Sequence, residues 1–527
     1  MNDNLTKIVI LETSDVHGNI LPINYANNEP AECGISKLAT IIKRERKSNE
    51  NIVLIDNGDM IQGTPLTYYY AKIDNKKSNP IIDTLNYLKY DAGVIGNHEF
   101  NYGRDILDDV IKQSGFPWLS ANILEKNTNK PFCGKPYIIK KFESGVKVGI
   151  VGLTTKYIPN WENPDIISNL SFFDVVDSAK KWVQILKEDE KVDLIIVSYH
   201  GGFEKNLETG KVAEALTGEN QGYALCMEVQ GIDVLLTGHQ HRYISGKSIN
   251  GVMVVQPGSG AKAIGKVEVS LEKHNSKWQV VEKNSSLIYC DGEKTDKKIE
   301  SIVEEVENDT QVWLDTSIGK INGDMKIHDY FQIRIKDSAL IEFINRVQMD
   351  SSGADISNTA LFDNDSKGFN NKVTMRDIVS NYIYPNTLKV IEVKGEDIKE
   401  ALEKSASYFQ VYDGEGIKMN PKFEVPKPQH YNYDMWEGIE YDINISRDFG
   451  QRITKLNYMG KPMELNKKYQ VVMNNYRAGG GGNFYMFKDK PVIKDIPIDM
   501  SELIANYILG RGTIEATVNH NWKVIYD

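Results

Sequence analysis

VIGNHEFNYG, residues Val94 to Gly103, decides how this chain is read. A short apolar run, Ala92–Ile95, stops at Gly96 and gives way at once to Asn97, His98 and Glu99. A buried strand that breaks at a glycine and presents polar side chains beyond its carboxyl end is how open α/β sheets build sites. Alone, Asn-His-Glu after a strand is equally an ordinary polar turn. The arrangement recurs, however. Lys7–Thr13 reads as a strand and runs into Ser14-Asp15-Val16-His17-Gly18. Ile52–Ile55 closes in Asp56-Asn57-Gly58-Asp59, Leu194–Ser198 in Tyr199-His200-Gly201-Gly202, and Val234–Leu236 in Thr237-Gly238-His239-Gln240-His241. Helical spacing is read over Ile35–Arg46, over IIDTLNYLKY (Ile81–Tyr90) and over Arg104–Lys112, and Lys147–Val151 reads as a further strand. Gly251 to Val281 reads as consecutive strands that complete the domain. Alternating strands and helices make this an α/β domain.

Five strand ends thus carry Asp15 and His17, Asp59, Asn97 and His98, His200, and His239 and His241, and five of the nine histidines of the chain lie among them. Carboxylate, amide oxygen and imidazole are ligands for borderline metals such as Zn, Mn or Fe. On an extended backbone, Asp-x-His and His-x-His place both members on one side, where both reach one centre. A metal site is therefore expected.

Composition narrows the partners. The chain has 527 residues, 41% hydrophobic and 26% charged, with 62 Lys and Arg against 73 Asp and Glu, a net charge of −11. That length predicts a few domains, each able to bury a core. The acidic balance argues against binding a nucleic-acid polymer, which needs basic surface. It leaves room for small anionic substrates, because bound metal supplies local positive charge. No apolar run approaches the roughly 20 residues of a membrane span, so no membrane association is expected. The N-terminus reads as a first strand with no signal peptide, which points to the cytoplasm, or to export or the cell surface if a leader has been removed. A monomer is expected. Cys33, Cys133, Cys226 and Cys290 lie far apart without CxxC spacing, so buried free thiols are expected. There is no phosphate-binding GxxxxGK[ST] loop and no GxSxG elbow, which leaves phosphate handling to metals.

Asp296 to Thr316 opens the second half. Ile299, Ile302, Val303, Val306 and Val312–Leu314 make a partial apolar stripe among acidic residues, as a linker helix would. Beyond it, Ala339–Met349 and Glu396–Ser407 read as helices, and Thr387–Val393, Gly438–Ile445, Ile453–Tyr458 and Tyr469–Asn474 as strands of a separate α+β domain. Pro- and Lys-rich Lys418–Asp434 reads as a loop. The division expected is 1–295, a linker at 296–330, and 331–527. Tyr384 precedes Pro385-Asn386 on a constrained turn, and Tyr476 precedes Arg477 and a glycine run, Gly479 to Gly482.

The motifs SDVHG, NGDMIQG, GNHEFNYG, SYHGG and GHQH resemble the series of the calcineurin-like metallophosphoesterases in order, spacing and strand context. SNYIYPNTLKVIEVKG, YNYDMWEGIEYDI and NNYRAGGGGNF resemble the nucleotidase C-terminal domain, most of all its bacterial 2′,3′-cyclic-nucleotide 2′-phosphodiesterase/3′-nucleotidase branch. The resemblance runs from Lys7 to Trp522. It implies a four-layer N-terminal domain, a β-sandwich flanked by helices, joined to an α+β nucleotide-binding domain. It also implies two divalent ions, Zn or Mn: one held by Asp15, His17, Asp59 and His241, the other by Asp59, Asn97, His200 and His239, with Asp59 shared. Such a pair generates hydroxide from water for in-line attack on phosphorus. His98 would stabilise charge on the phosphoryl oxygens. The 5′-nucleotidase branch has Asp three residues after this histidine, whereas this chain has Asn101. Tyr384 and Tyr476 would stack on the base, with Tyr431 and Tyr433 in reserve, and Arg376 and Arg477 would contact ribose or phosphate. The function implied is hydrolysis of 2′,3′-cyclic nucleotides to 3′-nucleotides and of these to nucleosides. A 5′-nucleotidase or UDP-sugar hydrolase using the same centre is the alternative, and an inactive nucleotide-binding protein the non-enzymatic one.

Overall fold

The computed structural model describes residues 4–527 apart from Trp161, Glu214, Ala215, Pro385, Pro426 and Pro497. It divides into two compact units, Met1–Asn24 with Asn28–Thr310, and Tyr25–Asn27 with Gln311–Asp527.

The first unit is built on two six-stranded sheets. One orders its strands Lys277–Tyr289, Ala263–His274, Leu5–Thr13, Ile52–Asp56, Ala92–Val94 and Trp118–Leu119. Its last four strands are parallel and its first two antiparallel. The other orders Tyr243–Ile249, Val252–Pro257, Val234–Thr237, Leu194–His200, Lys147–Thr154 and Tyr137–Lys141, four parallel strands between two antiparallel edges. Ile8, Ile10, Val53 and Ile55 of the first sheet share one buried cluster with Ile150, Ile196, Leu236 and Val255 of the second. That cluster is the interior of a sandwich. Val9, Leu11 and Leu54, pointing the other way, are just as buried, as strands covered on both faces must be.

The covers are helices. Val175–Glu188, a helix that no motif marks, sets Val175, Ala179, Val183 and Leu186 against Val151, Val197 and Leu235. Ile35–Ser48 buries Leu38, Ile41 and Ile42, and Pro80–Leu88 buries Ile81, Ile82 and Leu85; Arg46 ties the two by donating to the Leu88 carbonyl at 2.6 Å. The second helix starts where Asn79 caps the Ile81 and Ile82 amides and stops at Lys89, whose φ of 54° is left-handed. Helix, sheet, sheet, helix is the four-layer order expected. Because the central strands of each sheet are parallel, their carboxyl ends emerge together, and that places every motif loop at one edge.

In the second unit a five-stranded sheet orders Asp434–Glu437, Ile356–Ala360, Lys468–Asn474, Leu388–Lys394 and Val492–Ile496. It separates two cores. Val471, Ile391 and Val393 point into one, with Ile398, Ala401 and Leu402 of helix Gly395–Ala406. Val472, Leu388 and Val390 point into the other, with helices Ala339–Ser352 and Met500–Arg511. The described residues of Lys418–Asp434 are mostly irregular apart from two short 3₁₀ turns, and the last of them opens the edge strand Asp434–Glu437. Helix Lys297–Leu314 stands where a linker helix was expected, and the division between units falls within it. Its buried line is Ile299, Val303, Thr310 and Leu314, while Val312 is 73% exposed. The buried stripe is narrower than expected and leaves out Val312, because that position faces away from the line. Among the described residues no helix is long and apolar enough to cross a membrane.

The sandwich tolerates no added bulk at Gly152, where a Cβ would stand 2.3 Å from Leu119 Cβ and 3.0 Å from the Leu119 carbonyl carbon. Gly152→Ala is expected to destabilise the first unit by about 1–3 kcal/mol through overpacking, read as a lowered thermal unfolding midpoint.

Candidate metal centre

Each loop of the site is fixed by its neighbour's backbone. The Asp15 and His17 amides donate to the carbonyls of Gly58 and Asp59, both at 2.9 Å, Asn57 N–H to Thr13 O at 2.7 Å, and Gly238 N–H to Gly201 O at 3.0 Å. These bonds hold an unusual main chain. Asp15, His17, Asp59, His239 and His241 have φ of 51°, 48°, 58°, 65° and 54°. Left-handed backbone at non-glycine residues costs of order 1–3 kcal/mol each and concentrates at functional sites. The extended geometry expected for Asp-x-His and His-x-His is therefore corrected: each pair converges because its backbone curls. Glycines make the remaining room. A Cβ on Gly96 would lie 2.2 Å from Asp59 Oδ1, on Gly58 2.8 Å from His200 Nδ1, and on Gly238 2.6 Å from Asp15 Oδ2.

Two groups of donors result, Asp15 with His17 and His241, and Asp59 with His200 and His239, the donor atoms of each within 4.8 Å of one another. His17 donates from Nδ1 to Gln62 O at 3.1 Å, which turns its Nε2 to within 3.1 Å of His241 Nε2. His200 donates from Nδ1 to Asn57 O at 2.7 Å and presents Nε2 to Asp59 Oδ2 at 3.1 Å. His239 reverses the pattern: Nε2 meets Glu219 Oε1 at 3.0 Å, and Nδ1 faces inward. Asn97 Oδ1 joins the second group, 3.1 Å from His200 Nε2 and 2.9 Å from His239 Nδ1. One ring nitrogen tied to a carbonyl or carboxylate and the other aimed at a common point is how metal-binding histidines are oriented. Two imidazole nitrogens facing each other across 3.1 Å have one proton at most between them. The donor chemistry fits divalent cations.

The charges agree. Burial works to raise the Asp15 carboxyl, yet the hydrogen bond and charge of His241 hold it below the usual range. Asp59 is likewise depressed, burial being outweighed by His200 and His98. Burial opposes a charge on His200, but Asp59 beside it pushes this imidazole up to about 10. His200 thus favours a proton on the nitrogen that faces Asp59, where a cation would otherwise offset the carboxylate charge.

His98 stands beside this centre. Its amide donates to Asp59 Oδ1 at 2.7 Å, its ring meets His17 edge-on with centroids 5.2 Å apart, and its Nδ1 lies 2.6 Å from Asn101 Oδ1. Glu99 had no role in the motif reading, yet it is fully buried and organises two loops. Its Oε2 accepts the Asp59 and Gly96 amides at 2.8 and 2.6 Å and its Oε1 the Met60 amide at 2.7 Å. Its only sequence signal was an acid next to His98 on a strand end. Glu219 had none, lying 20 residues from the histidine it orients.

The residues expected to bind the base belong to the second unit. Tyr384 is half-buried, 5.4 Å from the Phe362 ring at 85°, and burial pushes its hydroxyl up to about 12; Pro385, which was to constrain its turn, lies outside the described residues. Tyr476 is half-buried and meets Tyr431 edge-on at 6.5 Å. A Cβ on Gly481 would lie 2.6 Å from the Tyr476 ring, so the glycine run is needed to seat it. Tyr433 is 0% exposed and belongs to the core, where a base has no access. Arg477 is buried too. It pairs with Asp434 through Nε at 2.7 Å and Nη2 at 2.9 Å, donates to the Tyr431 and Gly481 carbonyls, and lies 3.8 Å over the Phe484 ring. Its guanidinium is buried, its charge paired with Asp434 and its terminal nitrogens bonded within the fold, so its expected contact with substrate is corrected to a structural pin. Arg376 is similarly engaged, with Asp315 at 2.8 Å and Gln311 at 2.7 Å.

Residues 8–243 match the calcineurin-like phosphoesterase family and residues 317–489 the 5′-nucleotidase C-terminal domain. A solved structure from Staphylococcus aureus, described as a 5′-nucleotidase in complex with alpha-ketoglutarate, is 34% identical over 99% of this chain and 100% of that one, with a TM-score of 0.89. The chain belongs to the calcineurin-like phosphoesterases that carry a 5′-nucleotidase C-terminal domain. As a phosphoesterase of this kind it is a hydrolase of phosphoric esters, and the family implies a centre of two divalent ions. Its relatives include the 2′,3′-cyclic-nucleotide 2′-phosphodiesterase/3′-nucleotidase of Haemophilus influenzae, 28% identical over 98% of this chain and 87% of that protein. The trifunctional nucleotide phosphoesterase protein YfkN of Bacillus subtilis is 29% identical over 98% of this chain, which spans 38% of YfkN's length.

Protonation of the bare phosphoesterase centre has a measurable consequence. Asp56, pushed up to about 8 chiefly by burial, and His200, at about 10, bind protons in the folded protein that the unfolded chain releases near 3.8 and 6.5. The folded state then holds more protons, so stability falls as pH rises. The metal-free protein is expected to show a falling thermal midpoint from about pH 6 to about pH 9, and divalent metal to flatten the slope by displacing the His200 proton. A midpoint that climbs over this range in metal-free protein contradicts the assignment.

Proposed function

We propose that this enzyme opens 2′,3′-cyclic nucleotides to 3′-nucleotides and then dephosphorylates these to nucleosides. The observation that carries the choice is Asn101 at 2.6 Å from His98 Nδ1, a neutral amide where the 5′-nucleotidase branch has a carboxylate. Relatives bearing the cyclic-phosphodiesterase name align over 98% of the chain, which supports it. Asn orients the imidazole without placing a full negative charge beside it. A cyclic diester carries one negative charge against nearly two for a monoester, so it calls for less cationic help there.

Asp15, His17 and His241 would hold one ion, and Asn97, His200 and His239 the other, with Asp59 serving both. Carboxylate, amide and imidazole donors suit Zn²⁺ or Mn²⁺. When bound, such ions polarise the phosphoryl oxygens and supply a nucleophile at neutral pH. The chain's own residues do the rest. His98, fixed by its amide on Asp59 and by Asn101, presents Nε2 as the ring nitrogen that takes up a proton; once protonated there, it donates to a phosphoryl oxygen or to the departing ribose oxygen. Glu99 keeps the Asp59 loop in place by accepting three amides. Tyr384 and Tyr476 would stack on the base, which is worth about 1–3 kcal/mol per base and tolerates any of them. Tyr431, edge-on to Tyr476, steadies that ring.

A second reading, a 5′-nucleotidase, is favoured by the Staphylococcus aureus structure of that description. Product analysis separates the two. With 2′,3′-cyclic AMP, 3′-AMP and 5′-AMP offered side by side, kcat/KM is expected to be highest for the cyclic substrate, with 3′-AMP accumulating transiently before adenosine. Preference for 5′-AMP with the cyclic substrate untouched rejects the first reading. Replacing Tyr384 or Tyr476 with Ala is expected to raise KM for nucleotides about 5–150-fold, the equivalent of one lost stack, and to leave bis-p-nitrophenyl phosphate hydrolysis unchanged. Unaltered nucleotide KM in both variants assigns stacking elsewhere.

A further inference from the structure

Behind His98 runs a chain of side chains that ends in a carboxylate from a distant segment. Asn101 Oδ1 faces His98 Nδ1 at 2.6 Å, and Asn101 Nδ2 donates to Glu162 Oε2 at 2.9 Å across 61 residues of sequence. Glu162 is itself held. Its other oxygen accepts the Asn163 amide at 2.7 Å, and its own amide donates to Ile158 O at 3.0 Å. Burial is the main influence on its carboxyl and raises it, opposed by the hydrogen bonds from the Asn163 amide and from Asn101.

Donor and acceptor rules propagate along this chain. A carboxylate only accepts, so the Asn101 amide must turn its NH₂ toward Glu162. Its oxygen then faces His98 and can only accept, so His98 must carry hydrogen on Nδ1 and aim Nε2 at the centre. An amide alone could present either end to a ring nitrogen. Glu162 removes the choice.

We propose that Glu162 is a positioning residue for His98: acting through Asn101, it selects the imidazole tautomer and accounts for Asn at position 101. The inference rests on the proposed function in taking His98 as part of the reaction. A carboxylate at 101 would bring its second oxygen to the place now held by Nδ2, within hydrogen-bond distance of Glu162 Oε2. Two carboxylates so close cannot both stay ionised without a large cost. An Asp directly behind the histidine, and an Asn backed by a Glu, are then two exclusive ways to orient the same ring. In the second the negative charge sits one residue farther from it, where its pull on the imidazole is weaker.

The test is a swap. Asn101→Asp alone is expected to lower kcat on bis-p-nitrophenyl phosphate about tenfold, with KM within about twofold. Adding Glu162→Gln, whose amide donates to the introduced carboxylate, is expected to recover most of that loss, although Glu162→Gln alone lowers kcat a few-fold. Effects that simply multiply in the double variant overturn the proposal. A second readout needs no turnover. Ring-nitrogen NMR of metal-free, ¹⁵N-histidine-labelled protein, with His98 assigned by its loss in His98→Asn, is expected to show the Nδ1–H form in the wild type and a mixture of forms in Glu162→Ala. An unchanged His98 signal in Glu162→Ala overturns the relay. Wild-type enzyme inert on every phosphoester overturns the hydrolase reading instead, and the ring signals still decide the role of Glu162.

Discussion

Seven side chains that attract cations must be gathered at one place, and the main chain has to be bent against its preference to do it. Asp15, His17, Asp59, His239 and His241 all adopt left-handed backbone, a conformation in which their side chains gain nothing locally. What sustains it is the ladder of amide-to-carbonyl bonds between loops, Asp15 to Gly58 and His17 to Asp59, with Glu99 gathering the amides of Asp59, Met60 and Gly96 on one carboxylate. The parallel strands beneath place the loops side by side, and the buried sandwich keeps those strands rigid. Every later feature of the site depends on that support.

The candidate ligands were legible because their types are rare elsewhere and stand immediately after apolar runs. Chemistry repeated at strand ends is a local signal, and a linear sequence carries local signals well. The curl of the backbone was not legible, since nothing in Asp or His announces a positive φ; it is imposed by neighbouring loops. Glu99 was visible but mute, because its partners are main-chain amides of another loop. Glu162 and Glu219 were invisible. Each reaches the site across a separation that no periodicity encodes. In the fold, helix Val175–Glu188 was passed over between motifs, whereas the alternation of strands and helices that surrounds it was plain.

Arginines of the second unit illustrate the opposite error. Arg477 next to a glycine run invites a reading as a phosphate contact. In place, it is walled in by Asp434, Tyr431 and Phe484, and its charge is answered internally. A buried ion pair of this kind is costly to break from either end. Its effect is to hold together the turn that carries Tyr476 and the stretch that carries Tyr431. The residue expected to touch substrate is instead part of the framework that seats Tyr431 and Tyr476.

The hydrogen-bonded support of the loops also decides where the site is vulnerable. Glu99 contributes no donor atom to either group, yet its one carboxylate takes the amides of Asp59, Met60 and Gly96. A change at that single side chain therefore reaches a donor loop and the glycine turn beside His98 together.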